Sequence, residues 1–252
     1  MTPRSPAPDL IIGGVLFDKD GTLIDFDVTW APAYRAGAVF LTGGDEALAD
    51  TLLAATGWNA DEATHEPGSM LAAGTVMEIV TAWTRLMPAH RRPADPLNVL
   101  SERVDAVFER VAGLSVKPFT DLPALMARLR ARGLAVGLAT NDSVAGARST
   151  LGPVNAIDCF DFFAGFDSGH GHKPGPGMVH GFCDAMGLVP HRVMVVGDSL
   201  HDLRMARAAG AGAVVGVLSG TGAPATLAAE ADNLIPDINH LESLLDRIEQ
   251  AL

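Results

Sequence analysis

Val15-Leu16-Phe17-Asp18-Lys19-Asp20-Gly21-Thr22 decides how this chain is read: an apolar run stops at two acids, and a glycine supplies the turn behind them. The run begins at Ile11, and short continuous apolar runs bounded by turn residues fit buried parallel strands. Similar runs recur at Leu134–Ala139, Arg192–Val196 and Ala213–Val217, with a shorter one at Phe162–Gly165. Helical patterns lie between them. Leu122, Leu125, Met126 and Leu129 keep helical spacing before Arg132-Gly133, and Met178, Phe182 and Met186 do so before Gly187. Asp202–Ala209 and Leu241–Ile248 also read as helices. This alternation predicts an α/β fold with a doubly wound parallel sheet, covered on both faces.

From Phe26 to Leu114 the alternation stops and the sequence reads as helices only: Trp30–Leu41, Glu46–Ala55, Met70–Leu86 and Leu97–Val111. The expectation is a Rossmann-like core built from residues 10–25 and 115–252, with a small all-helical domain, 26–114, inserted after the first strand. Such an insert is expected over the carboxyl ends of the strands, where doubly wound sheets bind ligands.

Composition narrows the partners. The chain has 252 residues, 48% of them hydrophobic, enough for a full core. Its 30 Asp+Glu against 18 Lys+Arg give a formal net charge of -12. Nucleic-acid binders usually carry clustered Lys and Arg for phosphate contacts, and no such cluster is present. Cys159 and Cys183 lack metal-ligand spacing and read as reduced packing residues. No apolar run approaches a membrane span, and Met1–Asp9 lacks the pattern of a signal peptide, so the expected location is the cytoplasm.

Asp18 and Asp20 follow a buried strand two residues apart, so both carboxylates can face one reacting group. One could attack as nucleophile while the other donates and later accepts a proton; alternatively they cap a solvated turn. Asp198 and Asp202 follow a second strand and offer hard oxygen ligands to a divalent cation, or form an ordinary helix cap. Thr140-Asn141-Asp142 ends a third strand, where a hydroxyl and backbone N–H groups can take phosphate oxygens or cap a helix. Lys173 lies in a loop of glycines and prolines. Gly220-Thr221-Gly222 suggests a phosphate cradle, although Thr221 as a helix cap is the better reading. His170 and His172 lack the partners of a metal site. In the helical segment Trp30, Tyr34, Arg35, His65, Trp83 and Arg85 read as core or surface.

The four features together, in this chain order, resemble the motifs of the haloacid dehalogenase-like superfamily. Asp18-Lys19-Asp20-Gly21-Thr22 is similar to the first motif, Thr140 to the second, Lys173 to the third, and Asp198 with Asp202 to the fourth. Lys173-Pro174-Gly175-Pro176 and Gly197-Asp198-Ser199 look most like its phosphoglycolate phosphatase-like branch. The resemblance implies a magnesium-dependent phosphatase acting on a small phosphorylated metabolite through an aspartyl-phosphate, with the helical insert as a mobile cap. It implies Asp18 as nucleophile, Asp20 as acid/base, and Thr140 and Lys173 as further catalytic groups. Asp18, Lys19, Gly21, Thr22, Thr140, Asn141 and Lys173 would bind phosphate. Asp18, Asp20 (through its carbonyl), Asp198 and Asp202 would hold Mg2+. Dehalogenases of the superfamily lack an acid at position 20, which favours phosphate-ester chemistry. The alternatives are a phosphomutase acting on a sugar phosphate, a pyrophosphate or nucleotide phosphatase, and, more remotely, a non-catalytic ligand-binding regulator. Oligomeric state has no signal in the sequence.

Overall fold

The computed structural model describes residues 11–250, and the segment Met1–Asp9 lies outside them. In chain order the strands are β1 (Gly14–Phe17), β2 (Trp58–Asn59), β3 (Thr64–His65), β4 (Ala135–Ala139), β5 (Phe162–Ala164), β6 (Val193–Gly197), β7 (Ala213–Val217) and β8 (Asn233–Ile235). Six of them pair in parallel in the order β5-β4-β1-β6-β7-β8. The chain builds outward from β1 to β4 and β5, then returns to β6 on the other side. Phe17 therefore pairs with Leu138 of β4 and with Val196 of β6. At such a switch point successive loops diverge, and a crevice opens beyond the carboxyl ends of the strands.

Helices bury both faces of this sheet, which is why its strands read as unbroken apolar runs. On one face Leu16, Val193 and Val195 pack with Met178, Val179, Phe182, Leu203 and Val214. The helix Gly177–Met186 sits close because two strand positions lack side chains: a Cβ at Gly14 or Gly137 would come within 2.9 Å of the Phe182 ring. Cys183 is buried in the same cluster and Cys159 is half-buried; both are free thiols. The edge strand β8 has no counterpart in the sequence reading. Its three residues are too few to show a period, and Leu234 is partly exposed.

The chain divides into two compact units, one formed by residues up to Asp25 together with those from Pro118 onward, the other by Phe26–Lys117. Its two connections leave the first unit side by side, where Ile24 bridges Pro118 and Phe119 N–H donates to the Leu23 carbonyl at 3.0 Å. In the second unit the helix Phe26–Leu41 packs on Leu97–Ser115, around a core that includes Tyr34, Leu52, Trp83 and Phe108. The crossing is tight, since a Cβ on Gly37 would fall 2.3 Å from the Phe108 ring.

This unit is not all-helical. β2 and β3 form a small antiparallel hairpin, Trp58 opposite His65 and Asn59 opposite Thr64. The Asn59 side chain accepts the N–H groups of Asp61 and Glu62 and so shapes the turn. The hairpin places His65 on the Asp27 carboxylate, with Nδ1 2.6 Å from Oδ1. The expected helix Met70–Leu86 is two helices, Met70–Ala73 and Val76–Leu86. Thr75 and Glu78 make a capping box at the break: Thr75 N–H donates to Glu78 Oε2 at 2.8 Å and Glu78 N–H to Thr75 Oγ1 at 3.3 Å.

Candidate active site

The carboxyl ends of β4, β1 and β6, three neighbouring strands, carry Thr140, Asp18 and Asp198 respectively. Asp18 N–H donates to the Val196 carbonyl at 2.9 Å, and Thr140 N–H to the Ala164 carbonyl at 2.9 Å, so hydrogen bonding of sheet type extends into the site. Gly21 turns the chain behind Asp18 with φ at +81°, a conformation glycine adopts without strain. A Cβ there would also lie 2.6 Å from Asp198 Oδ2.

Lys173 is the cation at the centre. Its Nζ lies 2.6 Å from Asp18 Oδ1 and 2.5 Å from Asp202 Oδ1, and all three side chains are buried. Asn141 fixes the backbone of the lysine: Lys173 N–H donates to Asn141 Oδ1 at 2.8 Å, and Asn141 Nδ2 donates to the Lys173 carbonyl at 3.4 Å. Asn141, expected as a phosphate ligand, thus has both ends of its amide engaged in holding Lys173.

Asp202 occupies the first turn of the helix Leu200–Ala209, and its Oδ2 accepts from Ser199 N–H at 3.0 Å and from the Ser199 hydroxyl at 2.6 Å. Asp198 Oδ2 accepts from Thr221 N–H at 2.8 Å. Gly220 makes that approach possible, because a Cβ there would sit 2.0 Å from the same oxygen. The sequence predicts Thr221 as the cap of the following helix. The helix Pro224–Glu230 has Ala223 at its N-cap, and the Gly220-Thr221 turn instead holds a site carboxylate. The Ser219 hydroxyl ties this turn to the first loop by donating to the Gly21 carbonyl at 2.7 Å.

One carboxylate oxygen each from Asp18, Asp198 and Asp202 lies within 4.8 Å of the others. Two like charges at that distance repel by about 3 kcal/mol at an effective dielectric constant near 20. Burial, opposed by Lys173 and reinforced by Asp202 and Asp20, pushes the Asp18 carboxyl up to about 7. Burial, then repulsion from Asp18 and Asp202, raises Asp198 well above the usual carboxylate range. Burial opposes the charge of Lys173, but Asp18 and Asp202 outweigh it and hold the ammonium above the ordinary lysine range. Three buried acids around one ammonium leave an excess of negative charge. An all-oxygen donor set of this kind fits a hard divalent cation. The carboxylate of Asp20 is not part of this cluster.

The remaining expected phosphate ligands separate. Thr140 is buried, and its Oγ1 accepts from Asp142 N–H at 3.1 Å while retaining a proton to donate. Gly21 N–H is used inside its own turn, on the Ile24 carbonyl at 2.8 Å. Thr22 Oγ1 is fully enclosed. Lys19 has a side chain with no exposure, and its Nζ lies 2.8 Å from Asp20 Oδ2 and 3.1 Å from Asp142 Oδ2. Burial opposes its charge, but Asp20 and Asp142 push the ammonium up to about 12. Its side chain therefore points to two carboxylates. Of the residues marked in the helical unit, His65 and Trp83 are core, and Arg35 pairs with Glu46 and Asp50 on the surface.

Comparison with known proteins supplies the family. A model of haloacid dehalogenase-like hydrolases matches residues 12–210. The chain is a haloacid dehalogenase-like hydrolase. Among curated relatives, phosphoglycolate phosphatase of Yersinia pestis is 30% identical over 199 residues, covering 79% of this chain and 78% of that protein. Phosphoglycolate phosphatase of Escherichia coli K12 is 28% identical over 212 residues, 79% of each chain. Among solved structures, a hydrolase of the family from Deinococcus radiodurans with bound phosphate and sodium superposes with a TM-score of 0.67 at 21% identity, over 96% of this chain and 98% of that one. CbbY from Rhodobacter sphaeroides in complex with phosphate gives 0.66 at 20% identity, over 92% and 96%. Both share the fold of this haloacid dehalogenase-like hydrolase. Among its described residues no helix is long and apolar enough to cross a membrane.

Proposed function

We propose that this hydrolase is a Mg2+-dependent phosphatase that cleaves a small phosphomonoester of the phosphoglycolate type through an aspartyl-phosphate on Asp18. The observation that carries this reading is the buried Asp18 carboxylate, held by Lys173 inside a triad of acids at the sheet's switch point. The curated relatives named phosphoglycolate phosphatase support the substrate class. Asp18, Asp198 and Asp202 would hold the Mg2+, which when bound supplies positive charge against the nucleophile and the phosphoryl oxygens.

In the first half-reaction a carboxylate oxygen of Asp18 bonds to phosphorus and the phosphorus–oxygen ester bond breaks. Asp20, as the acid, gives its proton to the departing alkoxide. Thr140 donates its hydroxyl hydrogen to a phosphoryl oxygen, and Lys173 keeps Asp18 oriented and counters the charge that gathers around it. In the second half-reaction Asp20, now ionised, takes a proton from water. The water oxygen attacks phosphorus, which releases inorganic phosphate and restores the Asp18 carboxylate. The helical unit Phe26–Lys117 is assigned the role of cap and of substrate selection.

Phosphate release from 2-phosphoglycolate, sugar phosphates, nucleotides and pyrophosphate, with Mg2+ and with EDTA, tests the reading. The expected result is Mg2+-dependent release that is strongest on a small phosphomonoester and absent in Asp18→Asn. Turnover in Asp18→Asn overturns the nucleophile. Conversion of a sugar phosphate to its isomer without phosphate release would replace the phosphatase by a mutase.

A further inference from the structure

Lys19 has no step in the chemistry above, yet its ammonium is enclosed beside the reacting groups. Removing a charged amine from water is costly, and partners must offset that cost. An apolar side chain would fill the same space without that penalty. Two carboxylates do the offsetting: Asp20 on its own loop and Asp142 on the loop after β4, at 2.8 and 3.1 Å from Nζ.

Asp142 is itself fixed. Its Oδ1 accepts the Ser143 N–H at 2.7 Å. It also packs against Gly146 of the next helix, where an added Cβ would fall 2.4 Å from that oxygen. An ionic chain thus runs from the start of the helix Val144–Leu151, through Asp142 and Lys19, to Asp20. Asp20 has a partly exposed side chain, and unlike Asp18 its carboxylate is not held by Lys173 or by the acid triad.

We propose that Lys19 and Asp142 form an internal tether that holds the Asp20 carboxylate in place for proton transfer, making Lys19 a positioning residue and not a phosphate ligand. The inference rests on Asp20 being the acid/base of the proposed reaction. A group that must give a proton in one half-reaction and recover one in the next benefits from keeping its position through both. Displacement by about 1 Å can lower a rate about 100-fold.

The test uses the chemistry only a general acid performs. Departure of an alkoxide needs a proton, whereas 4-nitrophenolate leaves without one. We would measure kcat/KM for a series of alkyl and aryl phosphates with the wild type, Lys19→Met, Asp142→Asn, the double variant and Asp20→Asn. Lys19→Met should lose about 10- to 100-fold on alkyl phosphates and less than about threefold on 4-nitrophenyl phosphate, the pattern of a displaced acid. Asp142→Asn should fall in the same direction by less, and the double variant should be no worse than Lys19→Met. Equal losses on alkyl and aryl esters, or no loss, in soluble and folded Lys19→Met overturn the tether. If that variant does not fold, the same two outcomes in Asp142→Asn decide it. A wild type that releases phosphate from no ester would instead overturn the phosphatase reading.

Discussion

At the residue scale, Asp18 and Asp20 differ in surroundings although they lie two positions apart. Asp18 is enclosed with Lys173, Asp198 and Asp202, while Asp20 is partly open and paired with Lys19. Asp18→Asn should abolish turnover, because it removes the carboxylate that bonds to phosphorus. Asp20→Asn should slow alkyl-ester hydrolysis by about 10²- to 10⁴-fold, the usual contribution of one general acid/base. Acid quench of the reaction should trap labelled protein with Asp20→Asn and none with Asp18→Asn; label in Asp18→Asn would place the nucleophile elsewhere. Gly220→Ala makes a separate prediction. Its backbone needs no positive φ, so the effect of a Cβ 2.0 Å from Asp198 Oδ2 is steric and local. The methyl should displace that carboxylate and raise the Mg2+ concentration needed for half-maximal activity by about 10- to 100-fold. An unchanged metal requirement would mean that Asp198 is not a ligand. Asp18 and Asp198 were legible because each follows an apolar run, with Asp202 one turn further on, whereas Lys173 joined them only through the chain order of the four features and the family resemblance. Asp142, Ser219 and Thr221 were not legible, since each acts on a residue of another loop and its type alone marks nothing.

At the scale of the element, the strands after β1 were legible where both faces are covered, because burial on two sides leaves a continuous apolar run. The run Ala213–Val217 coincides with β7 residue for residue, whereas β8, of three residues, and the hairpin strands β2 and β3, of two each, are too short for any period. The break between Met70–Ala73 and Val76–Leu86 had a local signal that hydrophobic spacing overrode: Gly74 followed by Thr75-x-x-Glu78. That capping box predicts a modest effect. Thr75→Ala should lower stability by about 1 kcal/mol in urea denaturation, with the loss confined to the transition of the helical unit if the two units unfold separately. Phe182 predicts a larger one. Its ring is fully buried against Gly14 and Gly137, on the two strands that carry Asp18 and Thr140. Phe182→Ala should therefore cost about 3–5 kcal/mol. A loss below 1 kcal/mol would show that the sheet closes over the space left by the ring.

For the whole molecule, the buried acids tie stability to pH and to the bound ion. Asp18 has an ordinary value of 3.8 and is pushed, chiefly by burial, up to about 7 in the folded chain, and Asp198 is raised by the same cause. Between those two values the folded state holds more protons than the unfolded one. Stability of the metal-free protein should then fall as pH rises from about 4 to about 7. The groups shifted the other way do not mask this. Asp45 and Glu78, held low by the N–H groups of Leu48 and Thr75, contribute stability that is already complete above their ordinary carboxylate values. Lys19, raised to about 12 against burial by Asp20 and Asp142, changes only in strong alkali. A divalent cation replaces protons as the counter-charge, and it binds carboxylates that are already ionised at less cost than protonated ones. Melting in EDTA and in saturating Mg2+ should show a Tm gain that is clearly larger at pH 8 than at pH 5. The melting point in EDTA should be lower at pH 8 than at pH 5. Asp198→Asn should remove most of the gain at pH 8 and raise the melting point in EDTA, because it deletes one of the repelling charges. An equal gain at the two pH values, or the same gain in Asp198→Asn, would separate the ion from the acid triad and place its binding elsewhere on this acidic chain.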